Sequence, residues 1–366
     1  MFQLAHGEDN RASILQAACR RRLAWLPGLC LILAAQGGQA ATDYWNGSTD
    51  TDWFNAANWS VGALPSSADL AVVTSSPQNP VISGALHPGS KAVASLLYVG
   101  YSGTSSLTIS AGGTLVTTST RIGSGGVGSV LLTGNGSTWS NTGNSADFIL
   151  GSSKSGTLTV ANGASLKVGS AGTGTIYLGY LATGSGVLNI GSAAGTPAVA
   201  AGTIAAGVIT TSAGTGTVNF NHTDPGYTFG TQITGPTAVQ QNGGVTILSG
   251  ANTYTGGTFI KAGTLQAASG SALGAGSVSV SGGILDLGGS GALTLTLGTG
   301  ANFVANTGTL KLNILGSGSY DQIVGNGGKL TLGGTLDLSG SIFTGGTYQL
   351  FSGFSTSSAG TFSTIT

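Results

Sequence analysis

The chain has 366 residues, zero formal net charge and only 6% charged side chains, so nucleic acid or an anionic membrane has little to hold. Glycine supplies 66 residues, yet there is no G-X-Y period, prolines number 8, and 40% of residues are hydrophobic; collagen and disorder are excluded and a core is available. Acidic chemistry is sparse, because past residue 40 the acids are nine separated aspartates.

Residues 1–40 read as a signal peptide. Arg20, Arg21 and Arg22 precede an apolar run from Leu23 to Ala35, and Gly38-Gln39-Ala40 forms a peptidase site, so cleavage is expected between Ala40 and Ala41. A twin-arginine reading of the same arginines is weaker. Pro27-Gly28-Leu29 before Cys30 lacks the small residue of a lipoprotein site. Both cysteines, Cys19 and Cys30, lie in this leader, so the exported part is expected to hold no disulfide. No later apolar run reaches the roughly 18 residues of a membrane-spanning helix.

Residues 41–98 begin with "YWNGSTDTDWFNAANWSVGALP", which sets Trp45, Trp53 and Trp59 beside Asp43, Asp50 and Asp52. A stacked-coil protein must cover its first coil, and a tryptophan cap does that. Exposed rings that stack on sugars or a host surface are the alternative.

Residues 99–240 repeat. "VGYSGTSSLTI", "IGSGGVGSVLL", "LGSSKSGTLTV" and "LGYLATGSGVLNI" each start with a β-former and glycine, and a weaker fifth copy starts at Ala206. Their apolar pairs are Leu107 and Ile109, Val130 and Leu132, Leu158 and Val160, Leu188 and Ile190, Val218 and Phe220. A period in the twenties signals a solenoid, in which one coil cannot bury its own inner face and stacked coils can. Gly112, Gly113, Gly156 and Gly163 mark corners or close approaches. Trp139 falls within the repeat. The expected fold is an all-β parallel β-helix forming a single elongated domain, right-handed by analogy with other parallel β-helices.

Residues 241–290 contain "SGANTYTGGTFIKAGTLQAASGSALGAGSVSVSGGILDLGG". This stretch closely resembles the autotransporter-associated β-strand repeat of type V secretion passengers. The resemblance is carried by Gly250, Asn252, Thr253, Tyr254, Thr255, Gly256, Gly257, Thr258, Gly263, Thr264 and Leu265, with Leu285-Asp286-Leu287 after them. Val245–Leu248 and Phe259–Ile260 are expected as strands, joined by a turn whose hydrogen bonding Asn252 serves from within. The tryptophan-bearing start is similar to that of many such passengers. The units from 99 to 190 are similar to a repeat shared with PEP-CTERM surface proteins. In residues 291–366, "YDQIVGNGGKLTLGGTLDLSGS" looks like the segment before the translocator barrel, and the barrel itself is not seen before Thr366.

The resemblance implies a non-enzymatic exported passenger with an adhesive or surface-interaction role. Its expected partners are the export machinery or a separate outer-membrane translocator, with a host-surface or glycan ligand and no nucleic acid. Location is expected at the cell surface or in the medium in the complete system, and in the periplasm for this chain alone. No catalytic, cofactor-binding or metal-binding residue is assigned. Gly123-x-Gly125-x-x-Gly128 lacks the strand–helix setting of a dinucleotide fingerprint. Asp50, Asp52 and Asn55 suit a solvated turn better than calcium. His87 and His222 have no G-x-S-x-G elbow. The alternative is a β-helix enzyme acting on polysaccharide, which needs carboxylates clustered on successive coils. Asp286 and Asp337 sit within apolar alternation at positions expected to face outward.

Overall fold

The computed structural model describes residues 40–143, 148–289, 291–355 and 359–366. The leader, with Cys19, Cys30 and its arginines, lies outside the described residues, as does Asp147. Residues 40–366 form one compact unit. Its strands pair in parallel ladders, and among the described residues the one helical element is a short 3-10 turn at Ala56–Asn58. No helix among the described residues is long and apolar enough to cross a membrane, which says nothing of strands.

The coils stack as a β-solenoid. A 12-stranded sheet runs from Val81–Ser83 to Ala359–Gly360. An 11-stranded sheet accompanies it from Thr42–Trp45 to Gln232–Thr234, and a seven-stranded sheet from Tyr227–Phe229 to Thr364–Ile365. Three further strands, Thr294–Thr299, Gln322–Asn326 and Phe351–Ser352, close the last coils.

Alternation of apolar and polar residues decides which side of each strand faces in. The predicted apolar pairs stand in register: Leu107 on Val130, Val130 on Leu158, Leu158 on Leu188 and Leu188 on Val218, with Ile109, Leu132, Val160, Ile190 and Phe220 stacked two residues on. All ten are buried in one continuous apolar cluster that extends from Trp45 to Leu336. Each such side chain contributes about 1.5–3 kcal/mol. Trp139 joins the same cluster, paired between Leu115 and Leu166.

Corners need glycine. Gly151 sits at φ +73°, and a Cβ there would strike the Ser185 carbonyl of the next coil. The long strand Thr114–Ile122 turns one corner without a break. In the next coil two strands, Thr138–Asn141 and Phe148–Leu150, take over its two halves.

Coil length changes along the stack. Successive register points on the 12-stranded sheet lie 28, 30 and 30 residues apart from Val130 to Val218. The step falls to 21 from Val218 to Val239, 19 from Val239 to Thr258 and 20 from Thr258 to Val278. It rises again to 25 from Val278 to Phe303 and 27 from Phe303 to Leu330.

Candidate functional site

The shortest coils contain the residues singled out from the sequence. Val245–Leu248 and Thr264–Ala267 are neighbours in the seven-stranded sheet, and Thr258–Ile260 joins the 12-stranded one. Between Leu248 and Thr258 the chain builds the third side of the coil without a strand. Thr253 N–H donates to Ile233 O at 3.0 Å, Thr255 N–H to Gly235 O at 2.9 Å and Gly256 N–H to Thr237 O at 3.1 Å. Asn252 is buried, accepting at Oδ1 from Ile233 N–H (2.8 Å) and donating from Nδ2 to Ala272 O (2.7 Å).

Asn252 therefore links three coils. Asn252 is expected from the sequence to serve an internal hydrogen-bonded turn, and its side-chain bonds run to the coil before and the coil after. The amide points into a packed interior, where the neighbouring coils supply the partners that a buried polar group needs. Tyr254 is fully buried with its OH 2.7 Å from Thr258 Oγ1, and burial pushes its phenol far up. Gly257 and Gly263 take positive φ, Gly250 packs against the carbonyls of Gly230 and Thr231, and Leu265 enters the core.

The model of one family, the passenger-associated transport repeat, matches residues 239–267, which are these short coils. The chain has the fold and the repeat of an autotransporter passenger. A stretch of 185 residues, 48% of this chain, is 33% identical to the uncharacterized lipoprotein YdeK of Escherichia coli (strain K12) and covers 13% of that protein. A stretch of 79 residues, 20% of this chain, is 43% identical to the adhesin BmaC autotransporter of Brucella suis biovar 1 (strain 1330) and covers 2% of it. The chain thus spans a small part of the length of these curated relatives. No solved structure matches.

In the first described coil Trp45, Trp53 and Trp59 are buried against one another, with Trp59 meeting Trp53 at 4.6 Å and Trp45 at 5.2 Å, edge to face. Trp45 Nε1 donates to Gln78 O and Trp59 Nε1 to Trp53 O. These rings cannot stack on a ligand. The oxygens of Asp50 accept from Asp52 N–H, Asn58 Nδ2 and Asn55 Nδ2, which holds its carboxyl below the usual range. Asp52 Oδ2 lies 2.7 Å from His87 Nε2. Among the described residues no group of three or more His, Cys, Asp or Glu is placed to hold a metal.

Stacking brings two carboxylates into one column. Asp286, Lys311 and Asp337 occupy equivalent positions on three successive coils. Asp286 was expected to face solvent; it is largely buried, with Oδ2 3.4 Å from Lys311 Nζ and Oδ1 accepting from Gly288 N–H. The hydrogen bonds from Ser339, with a smaller contribution from Lys311, hold the Asp337 carboxyl low. His222, in another part of the stack, is completely buried with Nε2 2.8 Å from Thr246 Oγ1, and burial lowers its pKa despite Asp224 nearby.

A second column was missed from the sequence. Tyr98, Arg121, Ile149 and Tyr177 stand in register on four successive coils of the 11-stranded sheet, on the side away from the core. Tyr101 packs edge to face on Tyr98 (5.2 Å) and Tyr180 on Tyr177 (5.7 Å), and these outer rings stay 44% and 38% exposed. Ser124 and Ser152 occupy the corner between them, as the bonds Gly125 N–H to Tyr101 O and Leu181 N–H to Ser152 O show. The signal was the residue before each β-former–glycine pair, and "YVGY" recurs as "YLGY" three coils later. Aligning the copies from the β-former cut that residue off.

Proposed function

We propose that the chain is a non-enzymatic passenger, exported by a leader cleaved between Ala40 and Ala41, whose stacked coils present an adhesive surface outside the cell. The observation that carries this reading is the transport repeat lying in register within one uninterrupted solenoid. The adhesin and lipoprotein relatives support surface association. In this reading residues 41–98 are the cap and first coils, 99–240 the wide coils, 241–290 the transport repeat and 291–366 the closing coils. Export requires the secretion machinery and an outer-membrane translocator as partners.

The polysaccharide-enzyme reading draws on the column of Asp286, Lys311 and Asp337. A general acid needs a carboxyl that stays protonated near neutral pH. Asp286 Oδ2 is occupied by Lys311 Nζ, and the hydrogen bonds from Ser339 hold the Asp337 carboxyl below the usual range. The column suits a register-fixing ion ladder better than acid–base chemistry.

Protease shaving of intact cells, with the chain joined to an autotransporter barrel after Thr366, tests display. The expected result is a mature product beginning at Ala41 that added protease removes. A product retained inside the cell or keeping its leader would overturn it. Incubating purified protein with acidic and neutral glycans tests the absence of catalysis, since turnover lost in Asp286→Asn or Asp337→Asn would establish an enzyme.

A further inference from the structure

We propose that the corner framed by Tyr98, Tyr101, Tyr177 and Tyr180, with Arg121 on its floor, binds an acidic polysaccharide. Coils stack about 4.8 Å apart, so the two tyrosine pairs stand about 14 Å apart along the stack. Small side chains, Ser124 and Ser152, lie on the corner between them, where Ser152 is buried while the rings of Tyr101 and Tyr180 stay exposed on either side. Sugar rings present flat C–H faces that pack on aromatic rings, and rigid tyrosines give contact area at little conformational cost. The phenol hydroxyls of Tyr101 and Tyr180 remain available to sugar oxygens.

Charge selects the class of sugar. Arg121 is the one arginine after residue 22. It forms no ion pair with a described carboxylate, and its buried Nε has no hydrogen-bond partner. Ile149, its register partner one coil on, is buried although it stands on the outward side, so that position offers Arg121 no counter-ion. Lys154, exposed on the adjoining turn, also has no carboxylate partner among the described residues. A planar guanidinium without a carboxylate partner among the described residues, in one column with Tyr98 and Tyr177, matches the carboxylate or sulfate of an acidic sugar, which it can hold with two parallel hydrogen bonds. A neutral chain would stack on the tyrosines and leave that charge unmet. Nucleic acid is a poorer match, since the rest of the surface offers few cations to its phosphates.

This inference rests on the reading of the chain as a displayed surface, and a binding assay separates the two. The purified full chain is titrated with polygalacturonate, dextran and polyglutamate, its fold being checked by thermal melting. Polygalacturonate is expected to bind at least tenfold more tightly than either other polymer. Arg121→Gln is expected to remove most of that preference, Arg121→Lys to keep part of it, and Tyr180→Ala, at an exposed ring, to weaken binding severalfold with an unchanged melting temperature. Equal binding of polyglutamate would mean that charge alone is read, and unchanged binding in both Arg121→Gln and Tyr180→Ala would place the ligand elsewhere; either result overturns the site. Shaving reports display independently: a surface-exposed chain that ignores polygalacturonate loses the site and keeps the display, and a binding chain that stays inside the cell does the reverse.

Discussion

The coils from Val130 to Val218 and those from Val239 to Val278 solve the same problem with different means. In the wide coils each side is a strand, and apolar residues stacked in register provide the cohesion. In the narrow coils the third side has too few residues for a strand. Asn252 there supplies from its side chain the donor and acceptor that a strand would supply from its backbone, and Tyr254 and Thr258 bond to each other inside the core. A solenoid can thus shorten its coil by about ten residues and keep every side attached, provided a buried amide replaces a rung.

The largest effect is expected in the wide coils. Leu158→Asp places an unpaired charge in the core and should destabilise by at least about 4 kcal/mol, while Thr159→Asp, half-buried and retaining an acceptor for Asn189 Nδ2, should cost about 1 kcal/mol or less. Similar denaturant midpoints for the two would break the assigned register.

Next comes the narrow coil. Asn252→Ala strands the Ile233 N–H and the Ala272 carbonyl, which should cost about 2–4 kcal/mol. Asn252→Leu sharpens the test, since a loss as large as that of Asn252→Ala, despite the restored volume, shows that hydrogen bonding rather than packing is at stake. Recovery of wild-type stability in Asn252→Leu would make the narrow coil an apolar one like its neighbours.

Tyr254→Phe should cost about 1 kcal/mol, read as a small fall in melting temperature, because Thr258 Oγ1 keeps the Leu273 carbonyl as a weaker partner. A smaller effect is expected from acid at the junction of the two regions. Burial lowers the pKa of His222 in the folded state, and Asp224 offsets part of that. The unfolded chain therefore binds the proton more readily, so stability is complete above the ordinary histidine value of about 6.5 and declines as pH falls below it. Melting temperatures measured between about pH 7.5 and pH 5.5 should fall in the wild type and change less in Asn or Gln variants of His222. Identical pH profiles would show that His222 does not carry the effect.

The wide coils were legible because Leu107, Val130, Leu158, Leu188 and Val218 align at a nearly constant spacing, and a constant spacing is enough to stack them. The narrow coils were recognisable from the ordered glycines and threonines around Tyr254, but Asn252's partners were not, since a side chain that bonds across coils can be placed only when the coil length on both sides is known. For the same reason Asp286, Lys311 and Asp337 looked like isolated charges, and Tyr98, Arg121 and Tyr177 like ordinary surface residues. The stretch from 191 to 240 matched the repeat least well. There the chain folds back over the 12-stranded sheet, with Asn221 Nδ2 donating to the carbonyls of Ala193 and Thr196, and that detour interrupts the period.

Among the described residues the 12-stranded sheet alone passes from wide to narrow coils unbroken, which has a mechanical meaning if the proposed display holds the chain at one end and a ligand pulls on the other. Hydrogen bonds between coils lie along the direction of stacking, so a pull along that direction loads them in series and tests the weakest rung first. At Phe220 and Asn221 the register shifts and the next coil brings in buried Gln241, whose Oε1 has no hydrogen-bond partner, so this rung is expected to part first. Parting there would free the 21 residues between Val218 and Val239, a length of about 70 Å when extended. The solenoid would then lengthen under load before it let go, acting as a fuse that limits the force passed to whatever it grips.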